Sequence, residues 1–196
     1  MLSFIFAVIA LIITPGPGVL SLAGVGAAYG YRHGARYLIG LLLGNNMVCI
    51  AVITGLAAVM LAEPRLRLVF SVLSTAYLLW LAYRIAFAGA KVGFIDSPSP
   101  PGIKGGILLQ AINPKAYVVN TVLFSGFAFL PGSPALEMAL KLVIWNVLWI
   151  LVHILWLWVG VSIRALNLAP RTQRAINIGM ALAMLFVVAL AIFSAT

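Results

Sequence analysis

Long apolar stretches separated by short clusters of charge organise this chain. A helix needs ~20 residues to cross a hydrocarbon core of about 30 Å. Six stretches of that order predict helices at roughly 2–27, 37–61, 67–88, 105–130, 139–162 and 175–195. The third is the tightest fit, because its uncharged run extends only from Leu68 to Tyr83. Arg84 is therefore expected at an interface, with its head group reaching water. The first stretch lacks a positive amino-terminal region and stays uncharged from Met1 through Tyr31, so it reads as a retained span rather than a cleaved signal.

Two of the stretches are broken by proline, at Thr14-Pro15-Gly16-Pro17-Gly18 and at Asn113-Pro114-Lys115. Proline removes a backbone donor and frees a carbonyl that lipid cannot satisfy, so each break is expected where protein or a watery cavity surrounds it. The breaks recur about 98 residues apart, with Gly16 falling opposite Pro114, and the pair Asn45-Asn46 in the second span is echoed by Asn146 in the fifth. The most polar segment, Gly89 to Lys104, contains Ser97-Pro98-Ser99-Pro100-Pro101-Gly102 and separates three spans from three. An odd number of spans per half inverts one half relative to the other. The expected fold is all-α: a polytopic membrane protein of six transmembrane helices, arranged as two inverted three-helix repeats with broken first helices. It forms a single transmembrane domain over residues 1–196, with repeat one at about 1–88, a linker at about 89–104 and repeat two at about 105–196.

Composition agrees: 64% of residues are hydrophobic, 8% are charged and the mean hydropathy is +1.18. The net charge of +9 raises nucleic-acid binding, but the distribution of the cations argues for topology instead. Loops after the first, third and fifth spans hold Arg32, Arg36, Arg84, Lys91, Lys104, Arg164, Arg171 and Arg174, against Arg65, Arg67 and Lys141 on the other side. The positive-inside rule then puts those odd-numbered loops in the cytoplasm and both termini outside, with no nucleic-acid partner. Cys49 is alone, which excludes an intrachain disulfide or thiol relay. His33 falls in a predicted loop and His153 in the fifth span, so no bis-histidine haem, metal site or other cofactor is expected.

The chemistry concentrates at the breaks. Lys115 lies about ten residues into the fourth span, hence about 15 Å deep. An ammonium there costs roughly 2.5–3.5 kcal/mol and is expected to face the bundle interior. Two roles are open to it: holding a substrate carboxylate, or pairing structurally with carbonyls freed by the first break. Thr14, Pro15, Gly16, Pro17 and Gly18 supply the other half of a candidate site, where glycine admits a ligand close to the backbone and a restarted helix offers N–H groups to an anion. The alternative for that segment is a packing kink. A zwitterion suits the pair of breaks, with Asn45, Asn46, Asn113, Pro114 and Asn146 completing the candidate set.

Asn120 and Gln110 read first as interhelical hydrogen-bonding residues. His153 is either a proton relay or a structural histidine beside Trp149 and Trp156. Gly26-x3-Gly30-x3-Gly34 and Gly40-x3-Gly44 suit close helix contact or homodimer packing. Glu63, Asp96 and Glu137 all fall in loops or at span ends. Proton coupling would therefore rest on Lys115, His153, the substrate amine or a peripheral acid, and facilitated efflux without protons stays open. A membrane enzyme is disfavoured by the lack of an acid, base or nucleophile cluster, and a channel by the lack of a second Asn-Pro.

Four segments, in order along the chain, resemble the lysine exporter (LysE/RhtB) superfamily of amino-acid efflux carriers, and the resemblance extends over nearly the whole chain. Thr14-Pro15-Gly16-Pro17 is similar to its amino-terminal signature, and Gly30 to Gly40 to its first loop. Ala76 to Arg84 resembles its third-span ending, and Gly106 to Ala116 its fourth-span signature. Gly18 stands where many members have asparagine, and Asn45-Asn46 where members often carry an acid. The resemblance implies a secondary active transporter that exports small amino acids or related zwitterions by alternating access, usually driven by the proton-motive force.

Overall fold

Helix occupies every predicted apolar stretch, and the two proline-broken stretches fold as helix pairs. The computed structural model describes residues 1–13, 16–55, 62–86, 99–166 and 168–193. Its helices are α1 (Leu2–Ile13), α2 (Pro17–Tyr29), α3 (Tyr31–Ile53), α4 (Pro64–Ala86), α5 (Ile103–Ile112), α6 (Pro114–Ser125), α7 (Pro134–Ala165) and α8 (Pro170–Phe193). No strand occurs among the described residues. By length and composition α3, the Pro64–Tyr83 part of α4 and α7 are able to cross a membrane. The α1–α2 pair, bent by 53°, is a fourth candidate if counted as one span. Lys91 and Asp96, and most of the expected linker, lie outside the described residues.

Both breaks place proline at the first helical position, Pro17 in α2 and Pro114 in α6, where the missing N–H would have had no intrahelical partner. Asn113 caps α6, its side chain accepting from the Lys115 amide at 3.1 Å. The carbonyl of Ala111, one turn before the break, accepts from the Tyr117 hydroxyl at 2.8 Å, so that backbone group is satisfied without lipid or water. Gly16, the N-cap of α2, is extended and offers no side-chain cap. Thr14 and Pro15 lie outside the described residues.

One boundary differs from expectation. Sequence placed Arg32, His33 and Arg36 in a loop, whereas α3 begins at Tyr31 and contains all three. The joint between α2 and α3 is Gly30 alone, at φ +82, a region that glycine enters without steric cost. Arg164 donates to the Ala28 carbonyl at the end of α2, supporting the joint from α7.

α2 lies at the centre, buried at nearly every position from Pro17 to Ala27. It packs most extensively on α7, while α3 packs most extensively on α5. Glycines permit both crossings. A Cβ at Gly160 would strike the Ala23 backbone, one at Gly40 the Ile103 backbone, and ones at Gly26 and Gly34 the Leu157 side chain. The small residues that suggested close contact or a homodimer are thus occupied within the chain. α7 buries Glu137, Lys141, Trp145, Trp149, His153, Leu157 and Gly160, a stripe with helical periodicity that carries its polar groups inward. Its outward face presents Val143, Val147, Leu151, Ile154 and Leu155, the apolar exterior that a lipid-facing helix requires.

Candidate functional site

The two breaks meet. A Cβ built on Gly16 would lie only 2.9 Å from Lys115 Nζ, so the lysine of the second break reaches over the backbone of the first. Position 16 tolerates that approach because it has no side chain. Around this junction is a cleft of about 430 Å³, counted with its open mouth. It is bordered by the α2 start, by Asn45 of α3, by Gln110 and Asn113 at the end of α5, by Lys115 and Asn120 of α6, and by Trp145, Trp149 and His153 of α7.

Of the candidates named from sequence, Gly16, Pro17, Gly18, Asn45, Asn113, Lys115 and His153 line this cleft. Asn46 and Asn146 are not among its lining residues. They bond each other reciprocally instead, at 2.8 and 3.1 Å, and each amide also donates to the carbonyl four residues back, Leu42 or Leu142. Pro114 initiates α6 without lining the cleft. Gln110 and Asn120, read from sequence as helix-to-helix hydrogen-bonding residues, line it. Their polarity and position next to the broken span were the available signal.

The polar groups of the cleft are held by neighbours. Asn120 donates to the Ala116 carbonyl at 2.7 Å and to Asn45 Oδ1 at 3.3 Å, and its own Oδ1 accepts from the Cys49 thiol at 3.0 Å. Asn113 Nδ2 donates to Gln110 Oε1 at 3.2 Å. His153 Nδ1 lies 2.8 Å from the Trp149 carbonyl, and the two rings stack with centroids 3.4 Å apart. No carboxylate lines the cleft, and no group of three or more His, Cys, Asp or Glu suited to a metal ion occurs among the described residues. The arrangement offers one cation, the first-turn amides of α2, neutral amides and aromatic walls, a set suited to binding a small zwitterion and poor in groups for bond-breaking chemistry.

Apolar helices around a polar, cationic cleft at two helix breaks are the build of a multi-pass membrane protein. The chain belongs to the LysE type translocator family, which it matches over residues 9–195. It is 31% identical over 128 residues to a cysteine/O-acetylserine efflux protein of Salmonella paratyphi A, covering 64% of this chain and 63% of that protein. It is 27% identical over 150 residues to a leucine efflux protein of Klebsiella pneumoniae subsp. pneumoniae, covering 72% of this chain and 71% of that one. The chain thus aligns with a little under two thirds of the Salmonella relative's length. No solved structure matches it.

Proposed function

We propose that this protein is a secondary active exporter of amino acids or closely related small zwitterions, working by alternating access in the bacterial cytoplasmic membrane. The observation that carries the proposal is the reach of Lys115 Nζ over Gly16, which brings a cation and two helix breaks to one cleft. The substrate carboxylate meets Lys115 and the N–H groups of Gly18 and Val19 in the first turn of α2, where the helix dipole also favours an anion. The substrate ammonium lies toward the neutral amides of Asn45, Asn113 and Asn120. Efflux of amino acids by the named relatives supports the substrate class.

Six spans in two inverted repeats, about 1–88 and about 105–196, supply the moving parts on this reading. Its support is the match of proline-initiated helices α2 and α6, and the reciprocal Asn46–Asn146 bond between the second helices of the two halves. The distribution of Lys and Arg supports termini on the outside. Lys115 and His153 are the titratable groups in the cleft through which proton coupling would run. Cells or proteoliposomes containing the full chain, challenged with single amino acids, test the function. Saturable efflux with counter-exchange is expected, and unsaturable flux or consumption of the compound would replace the carrier by a channel or an enzyme.

A further inference from the structure

Gln110 enters the cleft from α5 and His153 from α7, and both side chains approach Gly18. A Cβ at position 18 would lie 3.6 Å from Gln110 Nε2 and 3.7 Å from His153 Nε2, so both nitrogens border one small volume that glycine leaves open. Each group has its orientation fixed from outside that volume. Asn113 donates to Gln110 Oε1 at 3.2 Å, which turns the amide NH2 toward Gly18. His153 Nδ1 lies 2.8 Å from the Trp149 carbonyl. A carbonyl only accepts, so Nδ1 holds a proton, and in the uncharged ring Nε2 then presents a lone pair. Stacking on Trp149 holds the ring plane, at an interplanar angle of 15°.

A donor and an acceptor therefore stand side by side over Gly18. A hydroxyl or thiol answers both at once, giving its proton to His153 Nε2 and accepting from Gln110. A methyl group answers neither, an ester carbonyl has no proton for the imidazole, and an ammonium has no lone pair for the amide. Lys115 lies over Gly16, two residues earlier, and two residues of chain span no more than about 7 Å. A short amino acid with its carboxylate at Lys115 thus brings its side-chain tip toward Gln110 and His153.

We propose that Gln110 and His153 form a side-chain subsite above Gly18 that selects amino acids carrying a hydroxyl or thiol. The inference rests on the carrier reading above. Its test is efflux from proteoliposomes containing the full chain, preloaded under reducing conditions with serine, alanine, cysteine or 2-aminobutyrate. Wild type is expected to favour serine over alanine and cysteine over 2-aminobutyrate. Gln110→Leu and His153→Phe should each lower those ratios about tenfold, the scale of one lost hydrogen bond in a site built to make it. Gly18→Ala, whose added Cβ meets only ordinary contacts, should lower them too, and it serves as the test if the other two variants fail to reconstitute. Ratios unchanged in the variants, or a wild type that prefers alanine and 2-aminobutyrate, would overturn the subsite and leave the carrier intact. A wild type that moves none of the four, nor any other amino acid, would overturn the carrier reading and the subsite with it.

Discussion

Two lysines enter the helical bundle, and their surroundings differ in kind. Lys141, 3% exposed, lies 3.0 Å from Glu137 one turn earlier on α7 and donates to the Gly126 carbonyl at 2.7 Å. Its ammonium also lies 5.8 Å from the Phe4 ring centroid and 5.9 Å from that of Phe129. Glu137 in turn accepts from the Phe129 and Leu130 amides, tying down a loop in which Phe127 adopts a positive φ of 57°. Lys141 is a clasp joining α1, α7 and the α6–α7 loop. Lys115 instead extends over the backbone of another helix break into a cleft lined by amides, indoles and an imidazole. Charge buried against a carboxylate and a loop holds a fold together, whereas charge turned toward a polar cleft is, on the function proposed above, the group that meets the substrate carboxylate.

Lys115→Met should break this comparison most visibly. Export is expected to fall about tenfold to a hundredfold, the loss of one charge-assisted hydrogen bond to the substrate, while the protein still inserts and remains monodisperse in detergent. Efflux at the wild-type rate would remove Lys115 from the mechanism. Lys141→Met should do the reverse. It leaves the Glu137 carboxylate without its cation, so thermal stability and membrane yield drop while export per folded molecule persists. Adding Glu137→Gln to Lys141→Met should restore part of the stability, because a lone charge near the core is worse than none. If Lys141→Met instead stopped transport in fully stable protein, the clasp would belong to the transport cycle.

The sequence made the Lys115 side of this contrast legible and hid the Lys141 side. A charge about ten residues into an apolar stretch beside Asn-Pro is a local anomaly, readable without coordinates. Lys141 lies near the end of a stretch and passed as an ordinary interfacial cation in the topology count. Only the return of the α6–α7 loop, a non-local event, shows that it is buried. The same limit explains Gln110, whose place in the cleft depends on α5 ending at Asn113 and crossing α3 at Gly40 and Gly44. Breaks, glycines and span positions are written locally. Which asparagine faces which helix depends on rotation about helix axes, and the roughly 100° between successive helical residues separates Asn45 in the cleft from Asn46 outside it.

A smaller effect is expected at the glycine crossings. Gly160→Ala would press a methyl group into the Ala23 backbone where α2 meets α7, an overpacking strain of about 1–3 kcal/mol. α2 carries Gly18 at the cleft, so this variant should lose thermal stability in detergent and also weaken substrate affinity. Gly132→Ala, which meets nothing within 4 Å, is the matched control. Equal stability of the two would show that the α2–α7 crossing relaxes without strain.

The smallest expected effect sharpens the comparison of the two chain halves. Asn46 and Asn146 exchange amide hydrogen bonds, and each also donates to the carbonyl one turn earlier on its own helix. A self-paired contact of this kind is what a two-fold axis between α3 and α7 would produce, each residue doing to its partner what the partner does to it. Truncating either side to alanine leaves the other amide still bonded to its own helix, so each single variant should be mild. A double-mutant cycle is expected to give a coupling of about 0.6 kcal/mol, the usual size for such pairs in membrane bundles. Because neither residue lines the cleft, substrate affinity should change less than in Asn45→Ala, one residue away but on the cleft wall. Zero coupling would mean that the two amides only share space. A large affinity loss in Asn46→Ala or Asn146→Ala would mean that the substrate passes between them during the cycle, which puts the path of transport on the axis relating the halves.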